Sequence, residues 1–169
     1  IFVIIPSVNG ACSCCGKEKH NIRTCPFKNG DCPRKINWKN NKNSNLVILQ
    51  SDCFFKIEAD KFDTKGSKIG PSCHCAREGD EQCHGIANML GGPGDCENCF
   101  SCSRKMNTDM TKMERFVKKS NGGTYIVSCD NYSYANIIIQ KFNPKEGSGS
   151  PTSTTILRNG SPTNYHNEF

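Results

Sequence analysis

Apolar residues in this chain come in short runs separated by polar, turn-forming stretches. IFVII (1–5) reads as a first strand. NLVILQ (45–50) and CFFKIEADKF (53–62) are rich in β-branched and aromatic residues, so both read as strands, either a hairpin across Ser51-Asp52 or one long bulged strand. NTDMTKMERFVKKSNGG carries the one clear helical pattern, at about 108–119. Met106, Met110, Met113 and Phe116 or Val117 recur at helical spacing, and Asn107 or Thr108 can cap the start. Lys118 and Lys119 suit the last turn, and Gly122-Gly123 end it. The methionine stripe is read as core. TYIVSC and YSYANIIIQKF form a closing hairpin around Asp130-Asn131, and the Gly/Ser/Pro/Thr/Asn-rich remainder, 143–169, reads as a linker or disordered tail.

These elements predict a small α+β protein of short strands and hairpins. Only 35% of the residues are apolar, so a large oily core is not expected. Thirteen cysteines point to a substitute for that core, either disulfides or metal. An odd count leaves one thiol over if the rest pair, and His20, His74 and His84 each lie within five residues of a cysteine. Histidine ligates zinc and takes no part in a disulfide, so the mixture favours a zinc-stabilised fold.

Residues 12–25, CSCCGKEKHNIRTC, place Cys12, Cys15, His20 and Cys25 at the spacing C-x2-C-x4-H-x4-C. The segment resembles the CCHC zinc knuckle of retroviral nucleocapsid and other nucleic-acid-binding proteins, over these fourteen residues alone. The resemblance implies one tetrahedral Zn2+, with Gly16 at the tight turn and Cys14 as a spare thiol. Ser13 and Lys19 stand where knuckles that grip single strands carry an aromatic residue and a glycine.

A second cluster holds Cys73, His74, Cys75, Cys83, His84, Cys96, Cys99 and Cys102, enough for one or two further zinc ions. SCHCAREGDEQCHGIANML loosely resembles the SWIM zinc motif. Alternatively, Cys83 with Cys96, Cys99 and Cys102 resembles the four-cysteine subdomain of RecQ-type helicases. A catalytic variant would draw on His74 with Asn88 or Asn98, as in His-Cys and HNH nucleases, or on the carboxylates Asp52, Glu58, Asp60 and Asp63.

The net charge of +6 favours a polyanionic partner. Arg23, Arg34, Lys35, Lys39 and Lys42 can neutralise phosphates while Trp38, or Phe27, stacks on an unpaired base. The sequence therefore predicts a zinc protein that binds single-stranded RNA or DNA, with a nuclease or a zinc-scaffolded protein-interaction module as alternatives. The expected units are residues 1–33 with the knuckle, an α+β domain at 34–142, and the tail at 143–169. No stretch approaches the ~20 apolar residues of a membrane span, so no membrane partner is expected. A nuclear or cytoplasmic location follows from reduced, metal-bound cysteines. The opposing signals are IFVII as a signal-peptide remnant and two glycosylation sequons, Asn131-Tyr132-Ser133 and Asn159-Gly160-Ser161. Beginning at Ile1 rather than Met, the chain reads as a fragment or a processed product.

Overall fold

The computed structural model describes residues 44–49, 52–63, 65–160 and 164–168. The strand at 1–5, the knuckle residues Cys12, Cys15, His20 and Cys25, and the basic stretch Arg23, Arg34, Lys35, Trp38, Lys39 and Lys42 lie outside them. Two-residue alternation of buried and outward side chains sets the first hairpin. β1 (Ser44–Leu49) and β2 (Phe54–Ala59) pair antiparallel, with Leu46 opposite Ile57 and Ile48 opposite Phe55. Those four residues, all buried, fix which face of the hairpin looks inward.

Four more strands extend the sheet: β5 (Gly123–Cys129), β6 (Ile137–Pro144), β7 (Thr152–Arg158) and β8 (Asn164–Glu168). The order is β1-β2-β5-β6-β7-β8 and every neighbouring pair is antiparallel. Residues 152–158 and 164–168, read from composition as tail, are thus strands of the main sheet. Their composition hid them because the inward positions of β7 include Ser153 and Thr155, with Leu157 the apolar member.

Between β2 and β5 the chain leaves the sheet and returns beside the strand it left. This excursion holds β3 (Glu81–His84) and β4 (Cys99–Cys102), a separate two-stranded sheet, and α1 (Arg104–Lys119). The helix begins four residues before the expected start. Ser103 caps it, its Oγ accepting from Met106 N at 3.3 Å, while Asn107 turns aside to donate to Glu81 at 2.7 Å. Met106, Met110, Met113 and Val117 are buried, so the stripe is core as read from the spacing.

Aromatic packing joins excursion to sheet. Phe55 on β2 stacks on Phe100 of β4 at 5.6 Å, and Phe142 on β6 makes T-shaped contacts with Phe62 and Phe116. Gly85, just after β3, lies flat against the Phe55 ring, where any Cβ would collide with it. After α1, Gly122 at φ +89° turns the chain under the backbone of Asp60 and into β5.

A polar group interrupts this core. Gln140 on β6 donates to Met110 O of α1 at 3.2 Å and to the Tyr125 hydroxyl on β5. Its Oε1, and the hydroxyl of Thr155 directly opposite on β7, are buried and have no hydrogen-bond partner among the described residues. Glu114, on the buried face of α1, is only 5% exposed. Burial raises its carboxyl from 4.5 to about 7. Burial likewise pushes the Tyr125 phenol up, and the Glu114 carboxylate adds to that shift.

Because the folded state holds the Glu114 proton more tightly than the unfolded chain, its contribution to stability is fully present below about pH 4.5. It is lost as pH rises to about 7. Glu114→Gln removes the ionisation, so the stability of the variant relative to wild type should climb by about 3 kcal/mol, as an upper figure, across that window. Urea titrations of both proteins at the two ends of the window measure it. A difference that does not change with pH would place Glu114 in contact with solvent.

Candidate functional site

The second cysteine cluster folds into the excursion, and its sulfurs are bonded to one another. Cys73 pairs with Cys96, Cys75 with Cys99 and Cys83 with Cys102, with Cα separations of 5.0, 5.9 and 5.9 Å. Cys53, just before β2, pairs with Cys129 at the end of β5, and Cys129 N donates to Cys53 O at 3.0 Å. All eight cysteines among the described residues are therefore in disulfides. All four Cα separations lie in the range a disulfide requires.

This overturns the zinc reading. A cysteine binds a metal as its thiolate, and Cys73, Cys75, Cys83, Cys96, Cys99 and Cys102 have none to offer. Among the described residues no three His, Cys, Asp or Glu side chains come together as a metal-binding group. Cys83 and His84 are successive residues of a strand, so they face opposite sides: Cys83 is buried, and His84 Nε2 lies 3.3 Å from Ser67 O. Burial of that ring favours its neutral form and lowers its pKa. With the zinc go the expected zinc-based binding of nucleic acid and the zinc-finger assignment. Disulfides persist in oxidising compartments and are rare in the cytosol and nucleus, so the expected intracellular location is corrected as well.

Of the nuclease carboxylates and amides, Asp60, Glu58 and Asn98 are engaged elsewhere. Asp60 pairs with Lys145 at 2.6 Å, an interaction that lowers its pKa, and Glu58 lies 3.7 Å from Lys56. His74 is exposed. Asn98 is fully buried as an internal brace, its amide accepting from Ile86 N and donating to Ile86 O and Pro93 O, all within 2.9 Å.

What the disulfides build is one end of the sheet. Cys53–Cys129 ties the end of β5 to the start of β2, at the point where the β5–β6 loop, residues 130–136, begins; the sequence pattern presents that loop as a simple turn. Asp130 Oδ1 accepts from Asn136 N and Ile137 N, closing the loop on itself. Ser101, buried in β4, then docks the loop against the hairpin: its N–H donates to Tyr132 O at 3.0 Å and its carbonyl accepts from Ala135 N at 2.8 Å. The Ser101 hydroxyl donates to Asp80 and accepts from Arg77 N, and Asp80 holds the Arg77 guanidinium at 2.7 Å. Arg77 in turn lies over the Tyr134 ring, 4.3 Å from its centroid.

The outcome is a fixed surface bearing Arg77, Tyr132 and Tyr134, with the two tyrosines 37% and 38% exposed. The sequence signal was present in YSY, but an aromatic pair in a hairpin loop looks no different from a strand start until the docking on Ser101 is seen. At the far side of the hairpin, Glu81 accepts from Asn107 and from Arg104 at 2.8 Å, tying β3 to the helix start and lowering its own pKa.

The bonds close loops of 19, 23, 24 and 76 residues. Loop entropy assigns each about 3–4.5 kcal/mol. Peptide mapping without reductant should recover the four pairs above, and reduction should lower the thermal midpoint sharply while a chelator leaves it unchanged. A midpoint that falls with the chelator and not with the reductant would restore the metal. No protein-family model matches the chain and no curated protein matches it, so its function is read from this geometry.

Proposed function

We propose that this chain is an extracellular, disulfide-braced recognition domain, and that it engages a protein partner through Arg77, Tyr132 and Tyr134. The observation that carries the reading is the locking of two exposed tyrosines on a loop whose backbone is bonded to Ser101 at two points. Exposed aromatic residues on a floppy loop lose entropy on binding. On a fixed loop that cost has been met in folding. Tyrosine and arginine are also the side chains that dominate binding energy where protein surfaces meet, because each offers a large apolar face with a polar tip. The four disulfides support the compartment in which such contacts take place.

A second surface has its own support. On the face of the sheet opposite α1, Leu49, Phe54, Ser128, Ile139 and Ile156 stand in one row by register, strand beside strand. Ile139 is 38% exposed and stands in that row with the half-buried Leu49, Phe54 and Ile156. The two surfaces separate by mutation.

With the oxidised protein screened against a panel of cell-surface and secreted ectodomains, Tyr132→Ala and Tyr134→Ala should each weaken the selected interaction at least about 10-fold. The thermal midpoint of Tyr132→Ala should stay at wild type, and that of Tyr134→Ala should fall only slightly, through loss of the Arg77 contact. Ile139→Lys should leave binding intact. The reverse pattern would move recognition to the sheet face.

A further inference from the structure

Of the two sequons, Asn159-Gly160-Ser161 is followed directly by Pro162 and ends outside the described residues. Asn131-Tyr132-Ser133 lies wholly in the fixed loop, with all three residues exposed. We infer that Asn131 carries an N-linked glycan. This rests on the extracellular half of the function proposed above and is independent of the tyrosine contact.

Three observations beyond the motif support it. First, the compartment that forms four disulfides is the one through which secreted chains pass the oligosaccharide-transferring machinery. Second, the division of labour in the loop leaves Asn131 available. Asp130 performs the closure, accepting from Asn136 N and Ile137 N, so Asn131 is not needed to hold the loop ends together. Third, Asn131 uses its amide oxygen inside the loop, Oδ1 accepting from Ser133 N at 2.9 Å, while its Nδ2 has no partner among the described residues. Nδ2 is the atom a sugar would occupy. Attachment there leaves the Oδ1 bond to Ser133 in place, so the folded loop accepts the glycan without rearranging.

The chemistry is a group transfer without redox change. Asn131 Nδ2 attacks the anomeric carbon of an oligosaccharide linked through pyrophosphate to a polyisoprenyl lipid. A nitrogen–carbon bond forms, the carbon–oxygen bond to the pyrophosphate breaks, and the lipid pyrophosphate leaves with the bonding electron pair. The amide gives up one proton, which the departing pyrophosphate takes up. Ser133 supplies the hydroxyl that the acceptor motif requires. The resulting glycan stands at the rim of the tyrosine surface and limits the directions from which a partner can approach.

The test expresses the full chain through a eukaryotic secretory pathway and compares intact masses before and after peptide N-glycosidase in heavy-oxygen water. Conversion of Asn131 to labelled aspartate supports the inference, as does loss of that signal in Asn131→Gln and Ser133→Ala with retention in Ser133→Thr and Asn159→Gln. An unmodified Asn131 in the wild-type protein overturns it. A parallel thiol assay of the eight paired cysteines separates the causes: all eight blocked with bare Asn131 reject the glycan alone, whereas those eight free with bare Asn131 reject the extracellular reading as well.

Discussion

A hairpin of two four-residue strands does not hold together in water, and β3 with β4 is such a hairpin. Three covalent bonds across residues 73–102 supply what its hydrogen-bond ladder cannot. Because the hairpin is held, Phe100 meets Phe55 of the main sheet, Glu81 meets the first turn of α1, and Ser101 meets the β5–β6 loop. Remove the bonds and each of those contacts has to be reached by a chain with far more conformations to lose. The loop end of the sheet is ordered through the hairpin, and the hairpin through sulfur.

The same sulfur explains where sequence reading failed. Clustered cysteines with interspersed histidines have metal-like spacing whether or not they are oxidised, and spacing along a chain carries no information about redox state. Two residues pointed the other way. Cys53 and Cys129 lie 76 positions apart, each alone beside a strand-like run, and neither has a place in a compact zinc site. In the antiparallel pairing of β2 with β5 they become direct neighbours. That pairing is non-local, so no window along the sequence displays it.

Elements with a clean period were legible. The methionine spacing of α1 and the β-branched runs of β1, β2, β5 and β6 carry their faces openly, and the structure keeps them. The helix start was displaced because Asn107 finds a better partner in Glu81, a residue 26 positions away, and leaves the cap to Ser103. β7 was missed for a related reason. Thr152, Ser153, Thr154 and Thr155 suit a strand only when β6 stands beside them to take their hydrogen bonds, and composition alone counts them as linker.

The interior and the loop end of this fold make opposite use of polar groups. On the buried face of α1, the ionised Glu114 carboxylate lacks the hydration it has in the unfolded chain, and the buried Gln140 Oε1 and Thr155 Oγ1 have no partner among the described residues, so the core carries a cost in stability. At the loop end, Ser101, Asp80 and Arg77 are joined in a connected set of hydrogen bonds, and Asp130 closes the loop on itself, so that the backbone bearing Asn131, Tyr132 and Tyr134 is held. A chain braced by four disulfides tolerates the first arrangement, since cross-links disfavour the unfolded state whatever the core contains. The second satisfies the polar groups of buried Ser101 and fixes the loop backbone while leaving both tyrosine side chains partly exposed, the arrangement that the proposed recognition role requires.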